Sequence, residues 1–266
     1  MELNRRTFVK TAFAGSAATL AAGLTGFAGT VQADEAAALE PLPVAETDPD
    51  SERGTDVNVN MSTIDRYLGR PDVAYRDVRH LYATNEAGET YVDLASTLEG
   101  FKIVPYIKLA PMSADTAKGD ELFTLEWDAD GAIVSATPNY AESELVLRDL
   151  FPQDKPTFLM CTSGGRASMA KALLLFLGWN PDLLYNIGGQ QNYEGTRKLE
   201  IVSYPVQRGG EDIYAVWRAD YANIDPAFLH PVQYARGGTG PVRDVHLDGC
   251  IQPNISEEHH GTRTDG

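Results

Sequence analysis

The sequence predicts an α/β fold in which a small parallel sheet is covered on both faces and extended by two β-hairpins. Three observations predict it. The apolar runs Thr157–Met160 and Leu183–Ile187 are too short for helices, and they flank a segment, Ala167–Leu177, whose apolar residues recur at helical spacing. Two pairs of alternating runs surround turn residues, Asp128-Ala129-Asp130-Gly131 in one case and Gly209-Gly210 in the other. Strands that alternate with helices imply parallel pairing, because each crossover lays a helix on the sheet.

Taken in chain order, residues 1–33 read as a processing segment rather than structure. Glu2, Arg5, Arg6 and Lys10 make a basic start, Thr11 to Thr30 is rich in Ala, Gly and Leu, and Val31-Gln32-Ala33 offers a small-residue cleavage site. Arg5-Arg6 followed by Thr-Phe-Val-Lys resembles the twin-arginine signal of bacterial proteins that fold before export. That resemblance implies a mature chain in the periplasm or at the cell surface. A membrane anchor is the competing reading, and the Gly and Thr content of the stretch argues against it. Residues 34–56 carry eight acidic side chains against Arg53 alone, together with Pro41, Pro43 and Pro49, so an acidic flexible linker is expected there.

The organised part spans 57–200. Ser62 to Leu68 predicts a short helix, Val73 to Arg79 a strand, and Phe101 to Leu109 an apolar run broken by Lys102 and Pro105. Glu121–Trp127 and Ala132–Ala136 predict an inserted hairpin near 119–138. Its Asp-x-Asp-Gly lacks the further ligand spacing of a calcium loop and reads as a turn. Tyr140 to Phe151 suits a helix. In Ala167–Leu177 the stripe is Met169, Ala170, Leu173, Leu174 and Leu177, with Gly178 as the stop. Leu199–Val206 and Ile213–Arg218 predict a second hairpin in a C-terminal extension, 201–266, that ends in a polar tail.

Composition narrows the partners. The chain has a formal charge of −16, and the basic start is part of that count, so the remainder is more acidic still. Nucleic acid and anionic lipid are therefore not expected as partners. Two cysteines, Cys161 and Cys250, exclude a disulfide-rich scaffold and a cysteine-built metal or cluster site.

Cys161 closes the apolar run, and Thr162-Ser163-Gly164-Gly165-Arg166 leads into the helix. Backbone N–H groups at a helix start lack intrahelical partners, and with the helix dipole they favour an anion. Gly164 and Gly165 allow the turn to bend so that several N–H groups converge on one atom. A cysteine at that focus is expected to be held as the reactive thiolate, and Arg166 adds a fixed charge with planar donors. The bland alternative is a cysteine packed under a sheet; a small-residue loop ending in arginine favours function.

Cys161-Thr162-Ser163-Gly164-Gly165-Arg166 resembles the C-x-x-G-x-R active-site loop of rhodanese-like sulfurtransferases. Leu184-Tyr185-Asn186-Ile187-Gly188-Gly189 with Tyr193 is similar to that family's strand, Gly-Gly and following aromatic. Asp77-Val78-Arg79 is similar to its early D-x-R. The resemblance covers roughly 57–195 and implies a rhodanese-like three-layer α/β/α fold. It implies Cys161 and Arg166 as catalytic residues, and Thr162, Ser163, Gly164 and Gly165 as the substrate cradle. Asp77 and Arg79 would support a strand end. Arg166 would orient the donor or brace the loop, while Thr162 and Ser163 offer hydroxyls without charge.

The implied reaction moves sulfane sulfur from a donor such as thiosulfate, through a Cys161 persulfide, to a thiol or cyanide, with no metal or cofactor. The chain departs from the family at Gly100-Phe101-Lys102-Ile103-Val104-Pro105, which lacks a histidine, and in its two added hairpins. A phosphatase loop would need His before the cysteine and Arg six positions after it. Met160 and Ala167 stand there instead. The alternative function is a binding or sulfur-carrier module for an extracytoplasmic partner protein. Cys250 reads as a bystander, a disulfide partner of Cys161 or a resolving thiol, and His259-His260 as an incidental pair.

Overall fold

A computed structural model describes residues 39–80, 82–84, 90–92, 94–201, 206–208, 211–215, 220–232, 251–252 and 260–262. The chain divides after Pro41. Residues 39–41 carry no regular secondary structure, and every described strand and helix belongs to the unit that begins at Leu42. The export segment, Cys250 and His259 lie outside the described residues. Among those residues no helix is long and apolar enough to cross a membrane.

The centre is a five-stranded parallel sheet. Its strands are β1 (Ala74–Asp77), β2 (Lys102–Ile103), β3 (Thr157–Cys161), β4 (Leu184–Gly189) and β5 (Asp220–Tyr221), in the order β5-β2-β1-β3-β4. Among the described residues three α-helices accompany them: α1 (Tyr106–Leu109), α2 (Ser143–Leu150) and α3 (Gly165–Phe176). The expected α/β class with a small parallel sheet is what the chain forms.

Every residue of β3 is buried, and its alternation shows why an apolar run was needed. Leu159 and Cys161 enter one core cluster, with Leu147 and Leu150 of α2 and Ala170, Leu173 and Leu174 of α3. Phe158 and Met160 enter another, with Val59, Ile64, Tyr75, Leu98 and Tyr185. Successive strand residues face opposite sides, so a strand covered on both reads as a near-continuous apolar run.

The two faces are covered differently. All three α-helices contribute to the first cluster. The second is closed by a 3₁₀ turn, Ile64–Arg66, and by Leu42 and Ala45. Among the described residues that face carries no α-helix, which departs from the expected α/β/α layering. The predicted Ser62–Leu68 helix contracts to that single turn, and Ser62 is not its cap.

The expected linker is a second departure. From Leu42 onward the acidic stretch is folded onto the edge strand β4. Asp56 N–H donates to Asn186 O at 2.7 Å, the Tyr185 hydroxyl donates to Pro43 O, and Thr47 bridges Asp56 in antiparallel fashion. Asp56 is 1% exposed, and its carboxylate accepts from the N–H groups of Glu46, Asn58 and Val59. Composition misleads here because short turns satisfied by their own side chains need few apolar residues. The segment also covers a sheet edge that would otherwise present unpaired backbone groups.

The inserted hairpin forms as predicted, Phe123–Trp127 against Ile133–Pro138. Asp128 Oδ1 accepts from Asp130 and Ala132 N–H, so this carboxylate closes a turn. The second hairpin is shifted: Val206–Arg208 pairs with Glu211–Ala215, whereas Lys198–Glu200 pairs with Ser96–Leu98. The C-terminal extension is more than a tail. Asp220 and Tyr221 supply the fifth strand of the sheet, and Ala222, Ile224 and Leu229 are buried in the first cluster. A strand of two residues is too short to display a period.

Candidate functional site

Cys161 is the last residue of β3 and is 1% exposed. Gly164 lies three residues on at φ +100°, a left-handed conformation that L side chains rarely adopt, and it caps the twelve-residue helix α3. This turn carries the Gly164 N–H back onto Cys161 Sγ at 3.1 Å. The sulfur therefore lies at a helix start and receives a backbone donor.

The loop has little freedom. A Cβ on Gly189 would lie 2.2 Å from Thr162 O and 2.3 Å from Ser163 Cα, so the loop crosses directly over the end of β4. Gln191 N–H donates to Thr162 O at 3.2 Å. On the other side of the loop, Arg166 Nη2 donates to Thr162 Oγ1 at 2.8 Å, and Nη1 meets His80 Nδ1 at 3.1 Å. A guanidinium only donates, so Nδ1 accepts and the proton of a neutral His80 ring sits on Nε2. In this geometry Arg166 ties the Thr162 side chain to His80, just beyond the end of β1.

Asp77 and Arg79 form a buried ion pair, at 0% and 3% exposure. Thr97 Oγ1 also donates to Asp77 Oδ2 at 2.8 Å, and the Arg79 guanidinium reaches Ser96 O. The pair locks the end of β1 to the strand Ser96–Leu98 and takes up the charge of Asp77 in doing so.

Three residues that the sequence reading passed over complete the surroundings. His80 had no sequence signal. Asn186, fully buried, stands at a bulge where β4 carries one residue more than β3. Its Oδ1 accepts from Gly188 N–H at 3.0 Å, and its amide donates to Arg53 O at 2.7 Å and to Gly164 O at 3.3 Å. A polar residue inside the run Leu184–Ile187 was the available clue. Arg53, the lone cation of the acidic stretch, was also visible as an anomaly. Its Nη1 lies 2.6 Å from the point a Cβ on Gly165 would occupy, and its Cβ is 3.4 Å from the equivalent point on Gly164.

A groove of about 800 Å³ lies elsewhere, lined by Tyr106, Met112, Trp127, Ile133, Met169 and Phe176 among others. It runs between the inserted hairpin and the flank of α3, and no residue from 161 to 166 lines it. Among the described residues no three His, Cys, Asp or Glu side chains gather as a metal site would require. Comparison of the chain with family models, with curated proteins and with solved structures finds no match.

Proposed function

We propose that this protein is an exported rhodanese-like sulfurtransferase that carries sulfane sulfur on Cys161. The observation that carries the reading is the Gly164 N–H on Cys161 Sγ at 3.1 Å, at the start of α3 and within a loop braced by Arg166. A thiolate in this position attacks the outer sulfur of thiosulfate. The new S–S bond forms as the old one breaks, and sulfite leaves with the bonding electron pair. The product is a Cys161 persulfide anion, whose terminal sulfur the loop N–H groups can cradle. Cyanide or a thiolate then attacks that sulfur, forms thiocyanate or a new persulfide, and returns Cys161 as thiolate. The loop is neutral apart from Arg166, and its span suits a sulfur atom better than a phosphoryl group.

Incubating the pure protein with thiosulfate and weighing it tests the reading. The mass should rise by one sulfur atom and fall again on addition of cyanide. Absence of uptake from thiosulfate, mercaptopyruvate and polysulfide alike would remove it.

One observation favours the second reading, a binding or carrier module for a partner protein. The apolar groove beside the inserted hairpin exposes Met112 at 40% and Phe176 at 44%, and exposed apolar surface of this kind marks interaction sites. Sulfur uptake that only one protein acceptor can discharge would support that carrier role.

A further inference from the structure

We propose that the turn from Thr47 to Asp56 is a built part of the Cys161 site and that Arg53 on it selects anionic sulfur donors. This rests on the sulfurtransferase reading for its substrate, though not for its geometry.

The turn is well held at its root. Thr47 bridges Asp56, Asp48 N–H donates to Thr55 O at 2.8 Å, and Thr55 N–H donates to Ser51 Oγ at 2.9 Å. Asn186 couples it to the loop, because one side-chain amide donates both to Arg53 O and to Gly164 O. The exposed Arg53 side chain then lies over Gly164 and Gly165, the cap and the first residue of α3. Any side chain at Gly165 would displace it.

Placement of a cation there is electrostatically odd. A helix start carries partial positive charge, and a guanidinium beside it is repelled rather than attracted. Among the described residues Arg53 has no carboxylate partner. An anion bound between the helix start and Arg53 satisfies both. The loop itself supplies little charge for this purpose, since Thr162 and Ser163 are neutral and Arg166 is engaged with Thr162 and His80. In a chain of net charge −16, which repels a dianion such as thiosulfate at long range, a local cation is what admits it.

Iodoacetate and iodoacetamide test this independently of sulfur transfer, since they differ in charge and hardly in size. In a Cys250→Ser background Cys161 is the sole thiol, and the ratio of its two alkylation rates reports charge selection. Arg53→Ala should lower the iodoacetate-to-iodoacetamide ratio by about tenfold, and Arg53→Lys should retain most of it. Added salt should shrink the difference. With thiosulfate, Arg53→Ala should raise KM and leave kcat unchanged. An equal ratio in wild type and Arg53→Ala overturns the role of Arg53, whatever the protein does with sulfur. A lowered ratio in a protein that takes up no sulfur keeps the anion site and removes only the sulfurtransferase reading. No reaction of Cys161 with either reagent in the folded protein overturns both.

Discussion

At the scale of single residues, chemistry and structure are carried by different side chains. Cys161→Ser should abolish sulfur loading altogether, because a serine hydroxyl cannot hold sulfane sulfur. Arg166→Ala should slow loading about ten- to a hundredfold yet permit it, since the Gly164 N–H remains on the sulfur; single-turnover mass spectrometry separates the two. Asp77 belongs to the scaffold. Asp77→Ala leaves Arg79 buried without its carboxylate and should cost about 3–5 kcal/mol in urea unfolding, with no direct effect on the thiol. Glu142 gives a pH signature. Burial alone would raise its pKa, but hydrogen bonds from the backbone and ring of His230 outweigh that and hold it below the ordinary carboxylate range. A lowered folded-state pKa adds stability above the unfolded value that is lost as pH falls through the folded one. Acid unfolding of wild type should therefore be steeper there than that of Glu142→Gln.

At the scale of elements, the site depends on how three pieces of backbone meet: the end of β3, the end of β4 and the Thr47–Asp56 turn. Gly189 is the point of closest approach. Gly189→Ala would press a methyl group onto Thr162 O and Ser163 Cα, and the loop must move because the β4 backbone cannot. That variant should lose about 1–3 kcal/mol of stability. It should lose a larger share of its sulfur loading than of its folded fraction, as circular dichroism and mass measurement on one sample would show. Loss of fold and loading in equal proportion would mean that the loop has no functional geometry to disturb. The Asn186 bulge belongs to the same scale. It inserts one residue into β4, and Asn186 Oδ1 closes it on Gly188 N–H, as bulges beside functional sites commonly do.

At the scale of the whole molecule, the twin-arginine resemblance predicts that the chain folds before it leaves the cytoplasm. Changing Arg5 and Arg6 together to lysine should leave uncleaved precursor inside the cell, and fractionation with intact-mass measurement checks it. Normal export of the double variant would remove that reading. Elements with a local signature were legible in the residues alone: the buried strands β3 and β4 as short apolar runs, helix α3 by its spacing and glycine stop, and the inserted hairpin by its Asp-Gly turn. So was the loop from Cys161 to Arg166, because that chemistry sits on contiguous residues. Other features exist only through tertiary contacts. The turn from Thr47 to Asp56 joins the domain through backbone hydrogen bonds and a self-satisfied carboxylate, which leave no apolar pattern. The strand Asp220–Tyr221 is set by its neighbour β2 and is too short to signal itself. His80, Asn186 and Arg53 come to the loop from three distant stretches of chain. A sequence displays periodicity and local chemistry, whereas the meeting of distant segments is fixed only when the sheet assembles.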